Sequence, residues 1–302
     1  MKGVNGLKTW RINDDKVFGF VNYTFLVLLL FLMLYPFWYV IITSVSDPTA
    51  LAFGGNPDML PRGFSLYGYR ELLNYKLLPR YFMNTLLYVT LGTFLRLLIS
   101  SLAGFVLSVK RFKPGKVIMV AMVITMFISG GLIPTYMLVR SLKGFDTVWV
   151  MVVPGCLDVY TCIVFKTFFQ QLPEELKDAA EIDGANDLVM LFRIVLPISK
   201  PLLATFAIFS IVGYWNEWWS ALLYLRKNEM HPIQMLLRSL LVQMDMLKSG
   251  EGIAKVNQSE ILVRAKVVRA ASIVITTLPI MLIYPFFQKY FTKGIVVGSL
   301  KG

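Results

Sequence analysis

The chain is 302 residues long, 56% hydrophobic and only 16% charged, with a mean hydropathy of +0.63 and a formal charge of +12. Soluble domains run about 45–50% apolar and about 25% charged, so composition excludes an ordinary soluble domain and defines a membrane protein. The basic residues lie between apolar runs, with no separate basic domain, which excludes a nucleic-acid binder and favours contact with anionic membrane lipid.

Residues 1–16 are polar and basic, with Lys2, Lys8, Arg11 and Lys16. The apolar run Val17–Val45 is too long for the core of a cleaved signal peptide and predicts a retained first span. Tyr35, Trp38 and Tyr39 sit at its outer end, where aromatic rings favour the bilayer interface. Ser46–Arg80 is rich in Pro and Gly and reads as an external loop with a short helix over Leu66–Asn74. Tyr81–Ser108 is the predicted second span, carrying Asn84 and a central Arg96. A basic turn, Lys110–Lys116, leads into a third span, Val117–Val139. There Ser129-Gly130-Gly131-Leu132-Ile133-Pro134 is expected to distort the helix or permit close packing. Val148–Phe169 is the predicted fourth span, with Pro154, Asp158 and Lys166. A charge inside a membrane is costly unless paired or hydrated. Arg96 and Asp158 are therefore expected either to pair or face a polar pathway, or to meet backbone carbonyls and water.

A polar stretch separates the fourth and fifth spans. Pro173 suits the first turn of a helix, and Glu174, Glu175 and Asp178 place negative charge near its positive end. Ala179 and Ala180 follow, and Gly184 is a natural stop. Asp187 is expected to cap a second helical piece, Leu188–Val195, closed off by Pro197 and Pro201. Pro201–Leu225 is the predicted fifth span and contains Trp215-Asn216-Glu217-Trp218. Ile233–Met246 alternates at helical spacing, Val267–Phe287 is the sixth span, and Gln288–Gly302 is a basic tail. Six spans place both termini on one side. Lys and Arg divide equally between the two sides and favour cytoplasmic termini only when the long Arg226–Arg269 segment is discounted. Cys156 and Cys162, six apart, do not share a helix face and predict neither a disulfide nor a metal site. His231 reads as a loop residue. There is no phosphate-cradling glycine loop with Lys-Ser/Thr, so the chain is not expected to bind ATP itself.

Asp178, Ala179, Ala180, Gly184, Ile194, Leu196 and Pro197 stand at the spacing of a known motif. The stretch resembles the EAA loop of importer permeases of the ATP-binding-cassette class, with Asp in place of the usual Glu at the first position. The resemblance implies an all-α polytopic fold with six transmembrane helices and a coupling helix that seats in a groove of an ATPase subunit. It also places the loop, with Glu174 and Glu175, in the cytosol. Adjacent helix positions lie about 100° apart, so one of Ala179 and Ala180 is expected to face the groove and the other to tolerate substitution. The implied organisation is a cytoplasmic N-terminus (1–16), a first span with external loop (17–80), a transporter domain (81–290) with its coupling loop (170–200), and a cytoplasmic tail (291–302).

Trp215-Asn216-Glu217-Trp218 resembles a signature of carbohydrate-importing permeases; amides and carboxylates bind sugar hydroxyls, and indoles stack on sugar faces. The tail, with Gly298, Ser299, Leu300, Lys301 and Gly302, resembles those of maltose-importer permeases that reach an ATPase dimer. The implied partners are a second homologous permease, two ATPase subunits that use ATP and Mg, and a sugar-binding lipoprotein, all at a bacterial plasma membrane. The candidate substrate pathway is Arg96, Asp158, Trp215, Asn216, Glu217 and Trp218. Two alternatives stay open. One is a permease of the same architecture for a peptide or amino acid. The other is a membrane enzyme, which would need a clustered set of acids or histidines at one membrane face that the sequence does not display.

Overall fold

The computed structural model describes residues 8–55, 57, 59–249 and 258–299. Among these the chain is helical, with an isolated antiparallel bridge between Ser46 and Phe64. It forms two compact units, Met1–Asn74 with Gln243–Ile275 and Tyr75–Val242 with Thr276–Gly302.

In the first unit, α1 (Lys8–Ser44) leaves Phe18, Phe20, Leu28 and Leu32 largely exposed along an apolar segment, Lys16–Ser44, whose most apolar stretch has a mean hydropathy of 2.5. That surface suits hydrocarbon. Asp47 then caps α2 (Pro48–Gly54): its Oδ1 accepts the amides of Thr49 at 2.8 Å and Ala50 at 3.1 Å. Together with the Thr49 hydroxyl, these bonds hold its carboxyl below the usual value. The sequence-predicted short helix is α3 (Tyr67–Leu73). It lies so close to the residues around Val267 that a Cβ on Gly68 would meet the Val267 carbonyl at 2.8 Å.

The second unit is built on α4 (Leu78–Ser108), the predicted second span extended by one turn. Small residues Gly92, Ser100, Ser101 and Gly104 are buried along it. Close approach of backbones is what holds helices together in lipid, where burying apolar surface gains little. A Cβ on Gly104 would meet Phe165 Cβ at 2.7 Å and the Lys166 amide at 3.0 Å.

Three predicted spans are broken: the third within the Ser129–Pro134 stretch expected to distort it, the fourth and fifth where continuity was expected. The third divides into α5 (Gly115–Phe127) and α6 (Leu132–Ser141), bent by 115°. Gly131 takes φ +82, and Pro134 falls in the first turn of α6, where a missing N–H costs nothing. The fourth divides into α7 (Val148–Val152), a 3-10 turn over Val153–Gly155 and α8 (Val159–Gln170), bent by 49°. Beyond α8 come α9 (Glu174–Ile182), α10 (Asp187–Met190), a π-turn over Leu191–Val195 and α11 (Leu196–Ile198). An 83° bend follows into α12 (Lys200–Trp215). The predicted fifth span therefore stops at Trp215, and α13 (Trp219–Tyr224) continues after a break. The amphipathic segment is α14 (Ile233–Ser249), and α15 (Gln258–Ser299) contains the sixth span. Among the described residues three helices are long and apolar enough to cross a membrane, and six crossings are reached when each bent pair counts as one.

Polar side chains tie the loops at the α4 N-terminal end. Asn84 Nδ2 donates to the carbonyls of Glu229 at 2.7 Å and His231 at 3.1 Å, and Tyr88 donates to Met230 O at 2.8 Å. Asp146 is partly desolvated, which opposes its charge. The Lys227 and Arg226 amides it accepts outweigh that burial and keep its carboxyl below the usual value.

Gly104→Ala should lower thermal stability in detergent. Alanine gains up to about 1 kcal/mol of helix propensity, but overpacking against backbone costs roughly 1–3 kcal/mol. Gly213, on α12, has nothing within 4 Å of the point where a Cβ would stand, so Gly213→Ala should be neutral or stabilising. Equal effects at both positions in a thermal melt would contradict the close approach of α4 and α8.

Candidate functional site

The polar stretch folds as the sequence leads one to expect, apart from a change of cap and a later stop. Pro173 precedes α9, and Glu174 and Glu175 occupy its first turn. The helix ends in a reciprocal pair of bonds: the Ala185 amide donates to Ala180 O at 2.9 Å and the Gly184 amide to Glu181 O at 3.1 Å, with Gly184 at φ +75. This is the Schellman termination, and glycine is the residue that enters its left-handed position without a Cβ clash. The second piece is capped by Asn186, whose Oδ1 accepts the Val189 amide at 2.8 Å; Asp187 is its first helical residue. Asn fills the cap because its position has extended backbone, φ −79 and ψ 168. The helical path also runs to Ile198, past the expected stop at Val195. The π-turn before Pro197 carries a bond from the Leu196 amide back to Leu191 O, and widening of this kind accommodates a proline within a helix.

This loop has its own hydrophobic foundation. Ala180, Met190, Leu191 and Val195 are buried with Phe105 of α4, Phe165 and Phe169 of α8 and Phe206 of α12, and Ile194 and Leu196 pack against that cluster half-buried. Phe165 meets Phe169 and Phe206 edge-on, at 5.8 and 5.3 Å between centroids. Ala179 is exposed, as are Leu176, Ile182 and Leu188. Ala180 thus serves the chain's own core, and the expectation that the inner alanine tolerates substitution is corrected. Pro197 is exposed.

Opposite charges fasten the loop to the turn between α4 and α5. Lys110 Nζ lies 2.5 Å from Glu174 Oε1; the Arg111 guanidinium lies 3.7 Å from Glu181 and 4.0 Å from Asp187. The bond to Glu174 raises the Lys110 ammonium above its usual value. Beneath these pairs is a cavity of about 540 Å³ bordered by Asp178, Glu181, Asp187, Lys110 and Arg111. Sequence reading passed over Lys110 and Arg111 as partners of this loop; a basic turn and an acidic helix in one chain was the available signal.

The candidate pathway residues divide. Arg96 is half-buried, donates from Nε to the Gly155 carbonyl at 2.8 Å, and lies 5.3 Å from the Tyr214 ring centroid. Asp158 caps α8, its Oδ2 accepting the Thr161 amide at 2.9 Å and the Thr161 hydroxyl. Among the described residues no ion pair joins Arg96 to Asp158. The alternative of carbonyl and cap partners is what the structure contains, because the break at Gly155 frees a carbonyl that a continuous helix would consume. Tyr214, unremarked in the sequence, lies across Gly92 and against Gly155 and donates to Val152 O at 3.1 Å. Trp215 is 1% exposed and donates from Nε1 to Thr276 O at 3.0 Å. Asn216, exposed, accepts from Gln234 at 3.2 Å, and Glu217 Oε1 accepts the Ser220 amide at 2.8 Å. Trp218 lies 4.9 Å beneath the Arg238 guanidinium, edge-on to Trp219. Both cysteines are free. Of the tail residues, Gly298 and Ser299 close α15, while Leu300, Lys301 and Gly302 lie outside the described residues.

Broken apolar helices thus carry an ordered polar loop on an aromatic foundation. The chain belongs to the binding-protein-dependent transport system inner membrane components, whose family description matches residues 13–297. It is 34% identical to the polygalacturonan/rhamnogalacturonan transport system permease protein YtcP of Bacillus subtilis, over 95% of this chain and 99% of that one. It is 29% identical to the trehalose/maltose transport system permease protein MalG of Thermococcus litoralis, over 91% and 94%. The structure matches a chain from a bacterial ABC transporter involved in the import of the acidic polysaccharide alginate. The TM-score is 0.81 and the identity 26%, covering 92% of this chain and 98% of that one.

Two outcomes follow from this geometry. Ala180→Glu should destabilise the protein by about 3 kcal/mol or more, because it buries an unpaired carboxylate, while Ala179→Glu should leave the melting temperature unchanged. Arg96→Met and Asp158→Asn should act additively on stability, within about 0.5 kcal/mol. A double-mutant cycle showing coupling above about 1 kcal/mol would mean that the two charges interact.

Proposed function

We propose that this chain is one permease of an ATP-driven importer that moves a carbohydrate oligomer by alternating access. The observation that carries the substrate class is that relatives matched over nearly the whole chain are named for carbohydrate transport. The proposed assembly adds a second homologous permease, two ATPase subunits that hold ATP and Mg, and an external sugar-binding protein. The α9–α11 loop is the ATPase-docking element and faces the cytosol. Its ion pairs to Lys110 and Arg111 support putting the α4–α5 turn on the same side, and both termini with it. Leu176, Ala179 and Ile182 form the face offered to the ATPase. Glu174, Glu175, Asp178, Gly184, Ile194, Leu196 and Pro197 shape the element behind that face, and the tail Gly298–Gly302 approaches the ATPase dimer.

On this reading Asn216, Glu217 and Trp218, at the break between α12 and α13, meet the sugar as it enters, and Arg96 with Asp158 borders its route. Trp215 anchors the break from within. Motion of the docked loop reaches α4, α8 and α12 through the shared aromatic cluster, so ATPase closure tilts the helices that border the route.

The test is reconstitution with the cognate ATPase and binding protein in liposomes, with oligosaccharides and peptides offered as substrates. ATP-dependent uptake of an oligosaccharide and not of peptides is expected; the reverse would overturn the substrate class. Ala179→Glu should lose ATPase in a detergent pull-down and lose stimulated hydrolysis while its melting temperature is kept. Full ATPase retention by that variant would remove the face from the interface.

A further inference from the structure

The second unit holds a basic hollow that the docking face does not use. It measures about 490 Å³ and lies where α4 ends, α5 begins and α8 passes, bordered by Lys110, Lys113, Lys116, Lys166, Gln170 and Phe112. No carboxylate borders it. Lys110 is committed to Glu174, but no ion pair among the described residues engages Lys113, Lys116 or Lys166. Three ammonium groups on one concavity repel one another, and Lys166 is half-buried. An anion entering the hollow relieves that repulsion.

Position limits what the anion is. The hollow stands at the junction of Ser108, where one membrane helix stops, and Gly115, where the next starts. That is the level of lipid headgroups. From Lys116 onward, α5 exposes Val117, Val120 and Ile124, at 72%, 60% and 49%. Their spacing of three and four sets them on one side of the helix. The apolar strip begins at the residue after Lys116, which borders the hollow. We propose that this place binds an anionic phospholipid, its phosphate among Lys113, Lys116 and Lys166 and its acyl chains along Val117, Val120 and Ile124. Basic pockets between membrane helices select anionic headgroups by charge, and lysine stems reach them from below. A soluble anion would use the hollow and have no need of the strip.

The test is lipid retention by the full-length protein, delipidated in detergent and titrated with phosphatidylglycerol or phosphatidylcholine, with native mass spectrometry as the readout. Phosphatidylglycerol should bind the wild type more tightly than phosphatidylcholine does. Lys113→Gln/Lys116→Gln should weaken it by about 25-fold, at roughly fivefold per lysine, with phosphatidylcholine unaffected. Lys113→Arg/Lys116→Arg should retain it, separating charge from folding. Undiminished phosphatidylglycerol binding by the Gln variant, or equal loss of both lipids, overturns the site. A third arm adds inorganic phosphate in excess: failure to displace the lipid supports the proposal, and complete displacement assigns the hollow to a soluble anion and overturns it.

Discussion

The burial of four loop residues, Ala180, Met190, Leu191 and Val195, against Phe105, Phe165, Phe169 and Phe206 is the contact on which the site depends. In lipid, helices gain little from hiding apolar surface, because hydrocarbon is as apolar as leucine. In water the same burial is the main stabilising force. The loop between the spans is the part of the chain that leaves hydrocarbon, and it anchors itself by sending alanine, methionine, leucine and valine back into rings carried by three membrane helices. Its exposed side is thereby free to be apolar at Leu176, Ile182 and Leu188 without collapsing inward. The ion pairs to Lys110 and Arg111 are exposed and contribute little energy singly; they set orientation.

The interruptions obey a second constraint. A helix broken in or near a membrane leaves amides and carbonyls that water cannot serve. At three of the interruptions a polar side chain takes them up: Asp158 for the Thr161 amide and Arg96 for the Gly155 carbonyl at one, Glu217 for Ser220 at the next, and Asn186 for Val189 in the loop, whereas α6 and α12 begin without a side-chain cap. Several groups that look like cargo ligands in a linear sequence therefore have structural work close at hand. A carboxylate engaged by one amide keeps other lone pairs, so capping and contact with a passing hydroxyl are compatible at Glu217.

Much of this was legible before any coordinates. Hydropathy located the runs, Pro173, the two alanines and Gly184 marked out α9, and the amphipathic spacing found α14. What escaped was set by distance in space. Nothing local distinguishes Ala179 from Ala180; their difference comes from rings far away in the chain. The cap at Asn186 instead of Asp187 turned on a one-residue shift that two neighbouring cap formers cannot resolve. Continuous apolar runs concealed the breaks at Gly155 and Asn216, because both halves of a bent span are equally hydrophobic. Tyr214 could not be singled out without knowing that Gly92 and Gly155 would both make room for it.

The widened turn at Leu191–Val195 has a consequence for descent. Its bond from Leu196 back to Leu191 spans five residues where an α-helix spans four, so the segment holds one residue more than its rise requires. A turn of that kind is what a helix becomes when it accepts a single inserted amino acid without surrendering its neighbours. Homologous chains could then differ in length by one here while keeping the flanking halves superimposable. Loss of that residue would rotate everything before it by about 100° relative to everything after. Gaps in an alignment of such chains would therefore record changes in the angle at which the loop presents itself, and not merely slack in a surface connection.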